Sequence, residues 1–137
     1  MSSNEQTLRL IADYYAAFNR DDKDAMLALL DEDVEHDINM GARETGRAAF
    51  QAFNERMSRC YQERLHELVI MASADGSRAA AEFVVHGRYL AADEGLPPAQ
   101  GQTYVLPAGA FFAVRDGRIS RVTMYYNLQH WLDQVTR

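Results

Sequence analysis

The chain has 137 residues, of which 47% are hydrophobic and 25% charged, and its formal net charge is −6. This composition is typical of one globular domain, residues 1–137, and it excludes disordered, fibrous and membrane-spanning chains. The 14 Lys and Arg residues are dispersed, so neither a nucleic-acid surface nor a membrane-binding surface is expected.

The first third of the chain shows the apolar spacing of helices. Residues 4–19 repeat apolar side chains at helical intervals, and Ser3 with Gln6 fits a capping box. Asp21 or Asp22 can cap a second helix that packs on the first as a hairpin. A third helix is expected over residues 46–59, with Thr45 as its cap.

From Tyr61 onward the apolar period changes to two, which indicates strands. Two Asp-Gly pairs, at 75–76 and 116–117, each join two such runs and predict two hairpins. Residues 91–101, which contain Pro97-Pro98, predict a long loop between the hairpins. Residues 128–135 predict a short closing helix. The expected class is α+β, with helices on one face of a curved, mostly antiparallel sheet.

Three segments carry a resemblance to a known superfamily: DEDVEHDINMGARETGR, GRYLAADEGLPPAQGQTYVLPAG and RDGRISRVTMYYNLQHWL. Together with the element order, they resemble nuclear transport factor 2-like proteins, in the branch of ketosteroid isomerases and SnoaL-like polyketide cyclases. The resemblance implies a cone-shaped mixed sheet packed on three N-terminal helices, with a short C-terminal helix. It also implies a cone that admits a small apolar ligand, and a homodimer formed through the sheet.

The resemblance assigns catalytic roles to two positions. It places Asp37 at the general base of the isomerases and Tyr14 at the donor that stabilises the oxyanion. The second isomerase donor falls at Ala110 and the cyclase acid at Met124, so neither of these two groups is present. Asp37 in a dry cone would have a raised pKa suited to abstracting a proton next to a carbonyl. Adjacent strand residues face opposite ways, so His36 is then expected outside the cone.

The run AEFVVHGRY alternates Glu82, Val84 and His86 with more apolar residues. Such alternation is typical of a solvated sheet face, whereas the isomerase register points these three residues into the cone. If these residues point into the cone, His86 could shuttle a proton or replace the second isomerase donor that is missing at Ala110. The expected catalytic set is Asp37, Tyr14 and His86. The expected substrate-binding residues are Phe18, Phe53, Glu82, Val84, Ala110, Phe112, Met124, Tyr126 and Trp131.

No metal or cofactor is expected. The four histidines lack ligand spacing, Cys60 has no partner, and no glycine-rich phosphate loop is present. A single cysteine and the absence of a signal-like start favour the cytoplasm.

Two functions follow as alternatives. The first is a cofactor-independent isomerase, dehydratase or cyclase acting on a small apolar carbonyl compound, and the second is a non-catalytic domain that binds such a ligand.

Overall fold

The computed structural model describes all 137 residues and confirms the α+β class. The structure has four helices and six strands, which follow the predicted order except for an additional short strand at residues 43–45. The helices are α1 (Ser3–Asn19), α2 (Lys23–Ala28), α3 (Arg47–Cys60) and α4 (Leu128–Val135). The strands are β1 (Leu30–Asp37), β2 (Arg43–Thr45), β3 (Tyr61–Ala72), β4 (Arg78–Tyr89), β5 (Thr103–Arg115) and β6 (Arg118–Tyr126).

The helix caps agree with the sequence at some positions and differ at others. Asp22 caps α2 by accepting a hydrogen bond from the Ala25 amide. Ser2, not Ser3, caps α1, and its hydroxyl accepts from the Glu5 amide. Thr45 does not cap α3, because it lies in β2 and the cap position is Gly46, with φ +103°. No helix combines the length and apolarity needed to cross a membrane.

The six strands form one mixed sheet in the order β2-β1-β6-β5-β4-β3. Only β1 and β6 pair in parallel, and every other pair is antiparallel. Both Asp-Gly turns form as predicted, since Gly76 and Gly117 adopt φ near +75°, which glycine tolerates without strain.

The sheet has an inner face, which packs against the helices, and an outer face. On β4 the inner face carries Ala79, Ala81, Phe83 and Val85, all buried. Tyr14 and Tyr15 of α1 contact this face through Phe112 and Phe83, with ring centroids 5.3–5.9 Å apart. Burial of this continuous apolar layer supplies the main stabilisation of the fold.

The inner face is closed at one end and open at the other. At the closed end Phe112 and Ile119 are fully buried. At the other end, side chains directed to the same interior stay partly exposed; they are Phe18, Phe53, Tyr61, Met124 and Tyr126. The inner face is therefore less completely covered at this end than at the closed end.

Candidate functional site

Asp37 lies on the outer face of β1, so the expectation that it faces the interior is wrong. Its carboxylate forms an ion pair with Arg43, at 2.6 Å, and accepts a 2.7 Å hydrogen bond from the Thr123 hydroxyl. Arg43 also pairs with Glu35, two residues away on the same face of β1. The Arg43 guanidinium, aided by Thr123, lowers the pKa of Asp37 to about 2, which is opposite to the expected rise.

His36 takes the interior position on β1, where the sequence had predicted an outward residue. It is 4% exposed, and its ring stacks on Phe50 at 4.4 Å and meets Phe53 edge-on at 4.6 Å. Burial lowers the pKa of His36 to about 4, so the imidazole is neutral at pH 7. Its Nδ1 atom is buried and has no hydrogen-bond partner.

Glu82, Val84 and His86 lie on the outer face of β4, so the register carried over from the isomerases is wrong for this strand. Glu82 and His86 are exposed, and the His86 ring contacts His66 of β3 at 4.1 Å. The more apolar alternate residues face the helices, because their burial gains more free energy than burial of charged groups. Glu82 and Val84 line a shallow outer recess of about 620 Å³.

The remaining predicted residues lie in the interior. Tyr14 is buried at the closed end against Phe112, and burial raises the pKa of its hydroxyl. Asp37, Tyr14 and His86 are therefore not brought together. Interior positions are found for Phe18, Phe53, Ala110, Phe112, Met124, Tyr126 and Trp131.

Glu63, which the sequence gave no reason to select, is the carboxylate on the inner face. It lies on β3 opposite Gly87 of β4, and it accepts a hydrogen bond from the Tyr104 hydroxyl of β5. Burial raises the pKa of the Glu63 carboxyl, and the Tyr104 hydrogen bond and the charge of Lys23 only partly oppose this effect. Glu63 is half-buried at the open end.

The Tyr104 ring lies directly over Gly87. A Cβ atom at position 87 would overlap Cζ, Cε2 and the hydroxyl of Tyr104. The ring also packs edge-on against Trp131 of α4, with centroids 6.0 Å apart. Gly87 and Trp131 therefore fix the direction of the hydroxyl that holds Glu63.

A second carboxylate, Asp93, reaches the same end from the loop between β4 and β5. Its carboxylate accepts a 2.9 Å hydrogen bond from the Tyr61 hydroxyl and lies 3.5 Å from Arg56. Its side chain is only 11% exposed. The loop itself is held by the Tyr89 hydroxyl, which donates to the Pro97 carbonyl at 2.7 Å and accepts from the Asp93 amide.

The open end therefore combines two carboxylates, several phenol hydroxyls and an apolar wall. Glu63 accepts a hydrogen bond from Tyr104, whereas Asp93 is engaged by both Tyr61 and Arg56. A half-buried carboxylate of raised pKa beside phenol donors can move a proton to or from a bound ligand. No group of three or more His, Cys, Asp or Glu side chains is arranged to hold a metal ion.

Comparisons with known proteins agree with this architecture. The model of the SnoaL-like domain matches residues 11–122. A provisionally named polyketide cyclase from Pseudomonas putida is 63% identical with a TM-score of 0.93, and each chain is covered over 98%. Another from Xanthomonas campestris is 59% identical with a TM-score of 0.95, over 98% of this chain and 99% of that one.

More distant structures extend the comparison. A provisionally named ketosteroid isomerase from Kribbella flavida is 29% identical, with a TM-score of 0.66 over 93% of this chain and 82% of that one. Solved structures of nuclear transport factor 2-like proteins that are less than 25% identical to this chain share only its fold. No curated protein matches the chain significantly.

Proposed function

The chain belongs to the SnoaL-like family, and from that premise we propose that it is a cofactor-independent enzyme that moves a proton next to the carbonyl of a small, largely apolar compound. The fold is that of small-molecule enzymes, and the finer assignment rests on Glu63. This half-buried carboxyl group has a raised pKa, a fixed hydrogen-bond donor and a position at the open end of the inner face. Isomerisation, dehydration and cyclisation all use such a proton transfer.

In this mechanism Glu63 takes the proton from the carbon next to the carbonyl. A carboxylate whose pKa lies closer to neutrality is a stronger base than an exposed one, which favours the transfer. The Tyr104 hydroxyl orients Glu63 and stabilises its ionised form. The enolate oxygen that develops needs a donor, and the half-buried Tyr126 hydroxyl at the same end is our candidate.

Substrate binding is assigned to the partly exposed interior side chains. Phe18 and Phe53 offer apolar surface from two helices, while Met124 and Tyr126 offer it from β6. Phe112 and Ala110 are buried below them and set the depth of the interior. Asp37 and His86 are not part of this proposal, because both lie on the outer face.

Exchange of carbon-bound hydrogen in D₂O tests the proposal without knowledge of the product. Enolisable ketones and 3-hydroxyacyl compounds are incubated with the protein, and loss of the proton signal is followed by NMR. We expect Glu63→Gln to lower the exchange rate by about 10²- to 10⁴-fold. Glu82→Gln is the matched control and should exchange at the wild-type rate. Equal rates for Glu63→Gln and wild type would contradict the role of Glu63.

A non-catalytic ligand-binding function is the second candidate. It is favoured by Ala110 and Met124, which stand where the resemblance places an isomerase donor and the cyclase acid, and by the ion-paired Asp37 on the outer face. A binding protein would be stabilised thermally by a ligand that undergoes no exchange in D₂O. Glu63→Gln would then change affinity only mildly.

We also propose a homodimer formed through the outer face of the sheet. This face exposes about half of each of five large apolar side chains, which are Val69, Met71, Val105, Phe111 and Tyr125. Large apolar side chains exposed together on one face favour an interaction surface. A second copy of the chain can cover it with the same surface, as a two-fold interface requires.

A further inference from the structure

Lys23, the first residue of α2, is the only lysine in the chain, since every other one of the 14 Lys and Arg positions is arginine. Its ammonium lies over the Phe18 ring, 4.2 Å from the ring centroid, and Phe18 is one of the side chains at the open end. The Lys23 side chain also lines a recess of about 410 Å³ between α2 and α3, and it keeps contact with solvent. The Phe18 ring therefore holds the one lysine amine beside the open end.

The Lys23 amine is near carboxylates but is paired with none of them. The neighbouring Arg64 forms an ion pair with Asp21 at 2.6 Å, whereas Lys23 forms neither an ion pair nor a side-chain hydrogen bond. Lys23 and Glu63 are nevertheless close enough for the charge of each to affect the pKa of the other. The two groups are therefore neighbours that lie farther apart than an ion pair.

The surroundings of Lys23 shift its amine towards the free-base form. Burial lowers the pKa of Lys23, although the charges of Asp21 and Glu63 oppose this effect. The free base is the form that attacks a carbonyl carbon, and desolvated lysines react in this way in other enzymes. Arginine cannot replace it, because a guanidinium stays protonated. The one cationic side chain of the chain that can bond to a carbonyl carbon thus lies beside the proposed base.

We propose that Lys23 forms an iminium with the carbonyl carbon of a ketone or aldehyde, a step that rests on the function proposed above for Glu63. The Lys23 amine bonds to the carbonyl carbon, one proton is taken up, and the carbonyl oxygen leaves as water. Glu63 then takes a proton from the adjacent carbon. The C–H electron pair forms the C=C bond of an enamine, while the C=N π pair returns to the nitrogen. Protonation of the enamine and addition of water release the product and the free amine.

The iminium offers a reason for the missing oxyanion donor and narrows the class of substrate. Its positive nitrogen takes up the electron pair that an enolate would place on oxygen, so no donor is needed at Ala110. The candidate donor Tyr126 then acts on the carbonyl oxygen before it leaves. Esters and thioesters are excluded, because an amine displaces their alcohol or thiol instead of water. The substrate of this step is therefore a small ketone or aldehyde.

Reductive trapping tests the iminium directly. Cyclohexanone, a small apolar ketone, is incubated with the protein and sodium cyanoborohydride at pH 7, and the labelled peptides are quantified by mass spectrometry. The α-amino group of Met1 is the internal reference, since an ordinary α-amino group is labelled before an ordinary lysine. We expect Lys23 to be labelled at least about tenfold faster than Met1. Equal labelling of the two amines, or labelling of Met1 alone, would overturn the proposal.

Two variants separate the amine of Lys23 from its charge. Lys23→Arg keeps the positive charge without a primary amine, so it should lose the label and exchange the α-hydrogens of cyclohexanone in D₂O at least about 10²-fold more slowly. Arg59→Lys is the matched control, because it adds an exposed lysine to the lining of the same recess. Position 59 should be labelled no faster than Met1, with exchange at the wild-type rate. Wild-type exchange by Lys23→Arg would overturn the role of Lys23.

Glu63→Gln distinguishes a failure of the iminium from a failure of the proposed base. It should keep the label at Lys23 and lose the exchange, because the iminium forms before the proton is taken. Trapping at Lys23 together with wild-type exchange in Glu63→Gln would remove Glu63 as the base and leave the iminium in place. Loss of exchange in Glu63→Gln without any trapping at Lys23 would keep the base and overturn the iminium.

Discussion

His36 is a buried titratable residue that links stability to pH. Its folded-state pKa of about 4 lies below the ordinary value of 6.5. Between these values the unfolded chain binds a proton that the folded protein does not, so stability falls as the pH drops from about 6.5 to 4. The shift corresponds to about 3 kcal/mol.

Urea denaturation at pH 7.5 and pH 4.5 checks this dependence. His36→Leu should lose most of the difference in unfolding free energy between the two conditions. His130→Leu replaces an exposed histidine on α4 and should keep the wild-type difference. If His36→Leu keeps the full pH dependence, His36 is not the residue responsible.

Asp37 contributes to stability through its ion pair with Arg43. Its pKa of about 2, below the ordinary 3.8, means that this contribution is complete above pH 3.8 and is lost as the pH falls towards 2. Because the side chain is 28% exposed and therefore screened, we expect Asp37→Asn to cost about 1 kcal/mol at pH 7.

Asp37→Asn also tests whether Asp37 and Glu63 have different functions. Its hydrogen-exchange rate in D₂O should stay within about threefold of wild type, while its unfolding free energy falls. Glu44→Gln, an exposed carboxylate on β2, should leave both quantities unchanged. A loss of exchange activity in Asp37→Asn as large as that of Glu63→Gln would return Asp37 to the mechanism.

At the scale of the elements, strands β4 and β5 together position the proposed base, Glu63. Gly87 of β4 has no side chain, and this leaves room for the Tyr104 ring of β5 that holds Glu63. Gly87→Ala would place a methyl group where the Tyr104 ring lies, so the ring must move and release Glu63. We expect a loss of about 1–3 kcal/mol in stability and a lower exchange rate. Gly41→Ala is the control, since its Cβ would meet Ile38 at ordinary contact distance. A fully stable, fully active Gly87→Ala would contradict this role.

The elements themselves were predictable because each has a local cause. The Asp-Gly turns set the two hairpins, Asp22 caps α2, and apolar spacing defines α1 and α4. The cap of α3 was missed because Thr45 pairs with Glu35 in a three-residue strand. That strand depends on contact with β1, which the sequence of residues 43–45 does not reveal.

The residues that face inward on β1 and β4 were predicted wrongly. They were taken from the resemblance to the isomerases and not from the alternation of apolar residues along each strand. On β1, Val34 and His36 share one face and Glu35 and Asp37 the other. Burying Val34 carries His36 inward and leaves both carboxylates outside, where Arg43 pairs with them. The apolar residue of each alternating pair was the better guide to the buried face.

For the whole molecule, the exposed apolar patch on the outer face predicts the assembly state. Light scattering at micromolar concentration should give twice the chain mass of 15.5 kDa. Phe111→Asp places a charge among these apolar residues, beside Tyr125, and should shift the mass to that of one chain. Met40→Asp, an exposed residue of the turn after β1, should remain dimeric. A monomeric wild type would contradict the dimer.

The Glu63 site could not be predicted, because it exists only in the assembled sheet. Tyr104 is 41 residues from Glu63 along the chain, and the two meet across β4 only because position 87 lacks a side chain. In the sequence, Glu63 resembles the other charged residues of an alternating strand. Alternation with Tyr61 and Leu65 places Glu63 on the inner face, but the register of three strands is needed to show that it meets Tyr104.

The pKa of the Glu63 carboxyl tests the central claim most directly. A ¹³C NMR titration of its side-chain carboxyl carbon, assigned with Glu63→Gln, follows this one group. The account predicts a midpoint above the ordinary value of 4.5, moving further upward in Tyr104→Phe, because that variant removes the donor that favours the ionised form. A midpoint at or below 4.5 in the wild-type protein would contradict it.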